Sequence, residues 1–255
     1  MIAPVAPQRT VSLVIPMFNE AENIEHAITW SVEALERHAR DYEVIVVDDA
    51  STDGSAALVA RAAAANPRVR LLRHPVNRKL GATLRTGFAA ASMELVLYMD
   101  ADLPFDPDEV GRAIRALEIT GSDMVAGYRH DRTAEGFRRT VYSYVYNFLI
   151  GLLFGWPHRD INFSFKLMRR ELLEAIELRS EGSLIDAELV VKAKNLGFVI
   201  QQLGLDYFPR TRGRSTLSSG GVIVKILREL AALSGDMRHP RRRTPPAPGG
   251  GDAAR

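Results

Sequence analysis

Two aspartates separated by one residue, Asp100 and Asp102, have the types and spacing that most directly suggest chemistry. They lie in the segment YMDADLPFDPDE, at the end of the apolar run at residues 94–100. Side chains two residues apart on an extended chain point to the same side, so we expect both carboxylates to bind one cation. Mg²⁺ or Mn²⁺ bound in this way also bridges diphosphate groups. The pair is therefore a candidate metal site.

The surrounding sequence alternates between short apolar runs and helical patterns. Unbroken apolar runs of this length are typical of strands that are covered on both faces, as in a parallel sheet. The runs occupy residues 11–17, 42–49, 69–74, 94–100 and 122–128, and the main helical stretches occupy residues 20–39, 55–65, 81–91 and 108–118. This alternation predicts an α/β fold with a doubly wound, mostly parallel open sheet flanked by helices.

Polar residues follow several of the predicted strands. Asn19 and Glu20 come after the first, and Asp48 and Asp49 end the second. Ligands of open α/β sheets bind at the carboxyl ends of the strands, where Asp100 also lies. The chain has neither the dinucleotide fingerprint G-x-G-x-x-G nor the phosphate-binding loop G-x-x-x-x-G-K-[ST], which disfavours a nicotinamide dehydrogenase and a P-loop kinase.

Composition and charge narrow the classes of function. The chain has 255 residues, 46% of them hydrophobic, and no cysteine, which excludes disulfides and thiolate metal sites. Its pI is near 9.0 although the net charge is only +2. Residues 238–255 carry +4, from five arginines and one acid, so residues 1–237 carry −2 and no nucleic-acid partner is expected. The start does not resemble a signal peptide, and we expect a cytosolic protein.

Two apolar segments of the second half could contact lipid. Residues 140–157 carry no full charge, but their first part is semi-polar, so we expect a helix or broken helix pair packed on the domain. Residues 220–235 form an amphipathic pattern that either closes the core or lies in a membrane interface. The tail at 238–255 reads as disordered, either a solvated end or a patch attracted to anionic membranes.

Four ordered motifs give the chain a family resemblance. They are VSLVIPMFNEAENI, VIVVDDASTDGS, NRKLGATLRTGF (with Asn77, Gly81, Ala82 and Gly87) and MDADL. In this order and spacing they resemble the inverting, family 2 nucleotide-sugar glycosyltransferases, which have the GT-A fold. The resemblance covers roughly residues 10–217. Lys79 and Leu80 depart from it, since Lys79 stands where the family has glycine and Leu80 where it often has lysine.

The resemblance implies a donor site. Asp100 and Asp102 would hold Mg²⁺ or Mn²⁺, and Glu20 would contact the nucleoside, although it could also favour the start of a helix. Asp48 would support its loop while Asp49 contacts the nucleotide. The implied nucleotide-sugar-binding residues are Pro16, Phe18, Glu20, Val47, Asp49, Gly81, Asp100, Ala101 and Asp102.

Further features resemble the branch that glycosylates polyprenyl phosphates, the dolichol-phosphate mannose synthase type. That branch implies an acceptor-phosphate site made of Arg129, Arg139, Ser143 and Arg210, with Arg138 as the neighbouring alternative to Arg139. The implied catalytic residues are Asp102, Asp160 and Arg139, and Asp160 could be a base, an orienting group or part of a structural ion pair. The segments that carry the likeness are RDINFSFKLMRREL (Asp160, Phe165, Lys166), LIDAEL (Asp186, Glu188) and PRTRGRSTL (Arg210, Gly213, Ser215).

The sequence departs from the pattern of this branch at three positions. Pro104 replaces a glutamine that often binds metal, Ser164 replaces a glycine, and Thr216 replaces a lysine. The expected domains are an extension at residues 1–9, a GT-A domain at 10–217, an amphipathic helix at 218–237 and the tail at 238–255. Within the GT-A domain, residues 10–128 would bind the nucleotide sugar and residues 129–217 the acceptor.

The resemblance implies transfer of a hexose, mannose or glucose, from GDP-mannose or UDP-glucose to polyprenyl phosphate. The enzyme would work at the cytosolic face of a membrane, through peripheral contact or a membrane-anchored partner. Two alternatives stay open. One is transfer to a soluble or polysaccharide hydroxyl, and the other is a regulatory subunit that binds nucleotide sugar without catalysis.

Overall fold

The computed structural model describes residues 7–130, 137–155, 159–207 and 220–243, and within these it leaves out the side chains of 137–142, 220–225 and 227. The first half alternates strand and helix as predicted. Its elements are β1 (Thr10–Met17), α1 (Ile24–His38), β2 (Asp41–Asp48), α2 (Ser55–Ala65), β3 (Val69–Arg73), α3 (Lys79–Ala90), β4 (Leu95–Tyr98), α4 (Glu109–Thr120) and β5 (Met124–Arg129).

The second half contains helices in two places where the sequence patterns indicated them, and several elements that the patterns did not reveal. One continuous helix, α5 (Phe137–Phe154), stands where a helix or a broken pair was expected. It is followed by β6 (Lys166–Arg169), α6 (Arg170–Ala175), α7 (Ile185–Asn195), β7 (Ile200–Leu205) and α8 (Gly220–Arg238). Among the described residues, no helix has the length and apolar character needed to cross a bilayer.

The described strands form one seven-stranded sheet in the order β3-β2-β1-β4-β6-β5-β7. Strand β6 runs antiparallel to both of its neighbours, β4 and β5, and the other pairs are parallel. The sheet is therefore mixed but mostly parallel, as predicted. Because β6 is antiparallel, its first residue, Lys166, lies beside Tyr98, the last residue of β4.

Both faces of the sheet are buried by helices. Leu13 and Ile15 of β1 pack on the side of α1, α2 and α4, whereas Val14 packs on the side of α3, α6 and α7. Burying apolar area contributes roughly 25 cal/mol per Å², so this two-sided core is the main stabilising feature of the fold. It holds the strand ends, where the candidate site lies, in fixed relative positions.

A third apolar cluster joins α5, α7 and α8. Ile150 and Phe154 of α5 pack with Val191 of α7 and with Leu230 and Met237 of α8. A helix therefore covers most of the predicted segment 218–237, and its inner residues close the core. Its amphipathic character stays a prediction, because several of its side chains lie outside the described set.

Candidate active site

The first wall of the candidate site is the end of β1 and β2. Pro16 and Val47 are direct partners in the parallel register of these strands. Phe18 follows and is 45% exposed. The turn after it is fixed because Asn19, at φ +55°, accepts a hydrogen bond from the Thr52 N–H at 2.8 Å and donates its own N–H to Ser51 Oγ at 2.9 Å. The exposed ring of Phe18 therefore lies directly before a fixed turn, at an edge where a nucleobase could stack.

Glu20 has a clear structural role at the start of α1. Its carbonyl accepts the N–H groups of Asn23 and Ile24 at 3.0 and 2.9 Å, and its carboxylate accepts Asn23 Nδ2 at 2.7 Å. These bonds satisfy donors that would otherwise be left over at the helix start. These bonds give Glu20 a structural role at the helix start, and its contact with a nucleoside stays a prediction.

Asp48 and Asp49 organise two different loops. Asp48 is buried and accepts hydrogen bonds from the Ser51 N–H at 2.9 Å and from Arg73 Nε at 3.1 Å. Asp49 accepts the N–H groups of Arg78 and Lys79 at 2.7 and 2.9 Å. Asp48 supports its loop as predicted, whereas Asp49 holds the segment that leads into α3.

His74 is a site residue that the sequence did not identify. Its ring is 7% exposed and lies between Asp49, 2.8 Å from Nδ1, and Thr86 Oγ1, 2.9 Å from Nε2. The histidine therefore fixes the orientation of the Asp49 carboxylate. The sequence signal that could have identified His74 is its position directly after β3, the strand that neighbours β2. The spacing of the histidines by itself suggested no ligand role.

Gly81 is required by a close approach of two backbones. Its N–H donates to the Glu181 carbonyl at 2.7 Å, and a Cβ at this position would lie 2.0 Å from the Ser180 carbonyl oxygen. Arg85 also donates to that carbonyl. The loop of residues 180–181 thus sits on the start of α3, and contact of Gly81 with a nucleotide sugar stays a prediction.

Asp100 and Asp102 lie in a turn, so the expectation of an extended chain was wrong. Strand β4 ends at Tyr98, and the Leu103 N–H reaches the Asp100 carbonyl at 3.4 Å, with Leu103 at φ +47°. Ala101 between them is buried.

The donor set of this turn fits a hard divalent cation. Across the described ranges, no cluster of three or more histidine, cysteine, aspartate or glutamate side chains could hold a metal alone. Mg²⁺ and Mn²⁺ commonly take one or two carboxylates and complete their coordination with waters and substrate phosphates. Asp100 and Asp102 would hold such an ion together with a diphosphate.

A cavity of about 720 Å³ adjoins the same turn. It runs between α1 and the loop of residues 101–108, and its lining includes Asp102, Phe105, His26 and Trp30. Trp30 is 53% exposed and lies against the ring of His26, with 5.9 Å between ring centroids. Asp102 therefore borders a space large enough for a ligand.

Arg129 and Asp160 meet at the opposite side of β6. Arg129 ends β5, and its Nε lies 3.3 Å from Asp160 Oδ2, with side-chain exposures of 9% and 1%. The guanidinium also stacks on the rings of Phe163 and Tyr207, with its carbon 5.1 and 5.0 Å from the ring centroids. The plane of this predicted phosphate ligand is thus fixed from several sides.

Helix α5 is fastened to the same region through Asn147. Its Nδ2 donates to the Ser143 carbonyl at 2.8 Å, and its Oδ1 accepts the Ile161 N–H at 3.0 Å. Ser143 is therefore one helical turn from a contact beside Asp160. Arg139 lies in α5 one turn earlier, but its side chain and all of Arg210 fall outside the described residues.

The sequence analysis also did not predict a buried polar cluster between β4, β6 and α7. Lys166 Nζ donates to Asp186 Oδ1 at 2.6 Å, and Lys166 lies over the ring of Tyr98 at 5.4 Å. Burial raises the pKa of Asp186, although the charge and hydrogen bond of Lys166 oppose the shift, and the charge of Asp160 adds to it. The motif likeness included Lys166 and Asp186, but their pairing required the fold.

Comparison with known proteins identifies a family and several relatives of this chain. The sequence model described as "Glycosyl transferase family 2" matches residues 12–177. A polyprenol monophosphomannose synthase of Mycolicibacterium smegmatis is 30% identical over 231 residues, which are 86% of this chain and 85% of that protein. An undecaprenyl-phosphate 4-deoxy-4-formamido-L-arabinose transferase of Serratia proteamaculans is 33% identical over 174 residues, 68% of this chain.

Coverage differs among these relatives. The chain spans 52% of the Serratia protein and 33% of the glycosyltransferase AglD of Haloferax volcanii, to which it is 31% identical over 207 residues, 78% of this chain. Among solved structures, a glucosyl-3-phosphoglycerate synthase from Mycobacterium tuberculosis, in complex with Mn²⁺, UDP-glucose and phosphoglyceric acid, superimposes with a TM-score of 0.70. It is 22% identical and covers 89% of this chain and 80% of its own. The predicted GT-A fold is thereby confirmed.

Proposed function

Because the chain belongs to glycosyl transferase family 2, we propose that it transfers a hexose, mannose or glucose, from a nucleotide sugar to a polyprenyl phosphate. The observation that carries this proposal is the position of Arg129. Arg129 is the last residue of β5, and its guanidinium is buried. Only β6 lies between β5 and β4, and β4 leads into Asp100 and Asp102. Residues 10–128 would bind the donor, and residues 129–217 the acceptor.

The chemistry of a phosphate acceptor suits this arrangement. A phosphate monoester is already an anionic nucleophile, so it needs alignment more than a strong base. The planar fork of Arg129 can donate paired hydrogen bonds to phosphate oxygens, and Asp160 holds that fork in orientation. Arg139, Ser143 and Arg210 would complete the acceptor site. Attack by one phosphate oxygen at the anomeric carbon, with departure of the nucleoside diphosphate, gives a β-linked product from an α-linked donor.

The donor half supplies the leaving-group side. Asp100 and Asp102 would hold Mg²⁺ or Mn²⁺, which neutralises charge on the departing nucleoside diphosphate when bound. Phe18, Glu20 and Asp49 would contact the nucleotide. The Mycobacterium tuberculosis structure with Mn²⁺ and UDP-glucose supports a divalent cation and a nucleotide sugar. GDP-mannose and UDP-glucose are the two donors that we propose to test.

The names of the relatives support a lipid-phosphate acceptor, since one is a polyprenol monophosphomannose synthase and another an undecaprenyl-phosphate transferase. A second candidate is a soluble acceptor. It is favoured by the fold likeness to a synthase crystallised with phosphoglyceric acid. A regulatory subunit without catalysis is disfavoured, because both carboxylates of the candidate metal turn are retained.

The direct test is a panel of nucleotide sugars assayed with a short polyprenyl phosphate and Mg²⁺ or Mn²⁺. We expect one donor to yield a β-linked glycosyl phosphate lipid, and chelation by EDTA to stop the reaction. A protein that is active on hydroxyl acceptors but leaves the lipid phosphate unchanged would contradict the proposal.

We also propose that α5 contacts the membrane at its cytosolic face. One side of this helix packs on α7 and α8, but another side exposes large apolar residues. The exposed residues and their fractions are Tyr144 61%, Val145 51%, Phe148 68% and Leu152 69%. Such a face on the helix that carries Ser143 would bring the acceptor site to the lipid surface. A membrane-anchored partner is the alternative means of reaching the lipid.

Vesicle binding tests this contact. We expect Phe148→Ser combined with Leu152→Ser to reduce co-sedimentation with anionic vesicles, because both side chains leave the apolar face. Ile119→Ser is the matched control, since Ile119 is 84% exposed on α4. Deletion of residues 238–255 should also weaken binding, and added salt should mimic that effect. Equal binding by all variants would contradict a lipid contact through α5 or the tail.

A further inference from the structure

Lys166 is a buried cation in the middle of the candidate site. It is 1% exposed, and its Nζ donates to Asp186 Oδ1 and to the Phe163 carbonyl, both at 2.6 Å. The ring of Tyr98 covers it at 5.4 Å from the ring centroid. Three different segments, β4, the stretch before β6 and α7, therefore converge on one ammonium group.

The strand register connects this ammonium to both substrate halves. Lys166 is the partner of Tyr98 on β4 and of Ala126 on β5. Two residues beyond Tyr98 comes Asp100, whose Oδ1 lies 3.5 Å from the Tyr98 hydroxyl. Three residues beyond Ala126 comes Arg129. Lys166 thus stands between the carboxylate proposed for the donor side and the guanidinium proposed for the acceptor side.

A second connection reaches Arg129 through Phe163. The Phe163 carbonyl accepts a hydrogen bond from Lys166, and the Phe163 ring lies under the Arg129 guanidinium at 5.1 Å. The Phe163 N–H reaches the Asp160 carbonyl at 3.3 Å. Displacement of Lys166 would therefore move the stacking surface of Arg129 and the backbone beside Asp160.

A buried ion pair is weak evidence of a contribution to stability. Removing a lysine and a carboxylate from water costs several kcal/mol per ion, and apolar residues of similar volume often stabilise a fold as well or better. The pair offers instead a fixed geometry, because its short hydrogen bonds restrain three segments at one point. A requirement for position would account for the charges of Lys166 and Asp186 in the core.

We propose that Lys166, held by Asp186, is a positioning residue that fixes the distance between Asp100 on the donor side and Arg129 on the acceptor side. The inference rests on the proposed function, which assigns those two residues to the substrates. It predicts a loss of alignment between bound substrates, while each substrate still binds. A displacement of about 1 Å between reacting groups can lower a rate by roughly 100-fold.

The test replaces both charges together, with Lys166→Met and Asp186→Leu in one protein, so that no charge is left buried alone. Active sites are counted by Mn²⁺-dependent binding of nucleoside diphosphate. We expect kcat per binding site to fall about 100-fold, while the KM values for donor and lipid phosphate change less than about threefold. The melting temperature should stay within a few degrees of the wild-type value.

The matched control acts on the other buried lysine–carboxylate pair, Lys192 and Glu188, which are 2.7 Å apart on α7 with side chains 2% and 0% exposed. Lys192→Met with Glu188→Gln should leave kcat per site within about threefold, because the amide oxygen of glutamine can still accept the Ser180 N–H and the pair does not contact β4 or the segment before β6. An equal loss of kcat in this control would overturn the positioning role. Wild-type kcat in the Lys166→Met, Asp186→Leu protein would overturn it as well.

Two further comparisons keep the inference testable. If the Lys166→Met, Asp186→Leu protein fails to fold, Lys166→Arg takes its place in the test, because arginine keeps the charge of lysine but not its shape. It should then lose about tenfold in kcat per site, and wild-type kcat would overturn the inference. If wild-type protein uses phosphoglyceric acid in place of a lipid phosphate, the proposed acceptor is wrong. The same kcat comparison on that acceptor still tests Lys166.

Discussion

The guanidinium of Arg129 lies 3.3 Å from the carboxylate of Asp160, and both side chains are almost fully buried. The family resemblance implied separate roles for these residues, one in binding the acceptor phosphate and one in catalysis. For Asp160 it left open a base, an orienting group or a structural ion pair. The side chains form an ion pair, and Arg129 also stacks on Phe163 and Tyr207, so we propose that Asp160 orients Arg129 rather than acting as a base.

Replacement of Asp160 by asparagine tests that role. Asparagine keeps the shape but removes the charge that pairs with Arg129, so Arg129 should present its fork less precisely. Loss of about 1.5 kcal/mol would raise the KM for lipid phosphate about tenfold. Steady-state kinetics should show little change in donor KM and less than a tenfold change in kcat. A fall in kcat of a thousandfold at unchanged KM would identify Asp160 as a base instead.

Replacement of Asp102 by asparagine tests the metal turn. Removing one of two carboxylates should cost several kcal/mol of transition-state stabilisation and lower turnover about 1,000-fold, with the fold intact by circular dichroism. Asp106→Asn is the control, because Asp106 lies in the same loop and an amide oxygen can still accept the Asp108 N–H. Wild-type turnover in Asp102→Asn would remove the metal assignment.

Lys79 is a strained position whose replacement should stabilise the protein. Its φ of +72° lies in the left-handed region, where a side chain costs about 1–2 kcal/mol and glycine fits readily. Lys79→Gly should therefore raise the free energy of unfolding by about 1 kcal/mol and the melting temperature by about 2–4 °C. Arg78→Gly is the control, since φ is −109° there and glycine should destabilise. A lower melting temperature for Lys79→Gly would refute the strain.

Gly81 is predicted to tolerate no side chain. The Cβ of Gly81→Ala would lie 2.0 Å from the Ser180 carbonyl oxygen, so the loop at residues 180–181 would have to move. Overpacking of this kind costs about 1–3 kcal/mol, which chemical denaturation would detect. Gly235→Ala is the matched control, because a Cβ there meets nothing within 4 Å and alanine favours the helix α8. Equal stability of both variants would contradict the close approach.

The first half of the fold was predictable because its strands are unbroken apolar runs and the stretches between them have helical patterns. The second half was less so. Helix α7 is buried along Ile185–Ala193, so it lacks the one-sided apolar stripe by which a surface helix is recognised. Strand β6 has four residues, and its antiparallel insertion between β4 and β5 depends on tertiary packing.

The candidate site, like the fold, could be predicted only in part from the sequence. The rule that ligands bind at strand ends predicted Asp49 and Asp100 from sequence order, whereas Arg129 was implied by the family resemblance. His74 also follows a strand, but the contacts that make His74 and Lys166 part of the site are with distant segments, and the order of the sequence does not reveal them. Asp100 lies in a turn, since β4 is shorter than its apolar run.

Competition between two acceptors tests the central claim most directly. Wild-type protein would be supplied with GDP-mannose or UDP-glucose, Mn²⁺, and equal concentrations of a short polyprenyl phosphate and phosphoglyceric acid. The product ratio would be measured by mass spectrometry. We predict that the sugar is transferred predominantly to the lipid phosphate and that EDTA abolishes the product. Exclusive transfer to phosphoglyceric acid would contradict the account.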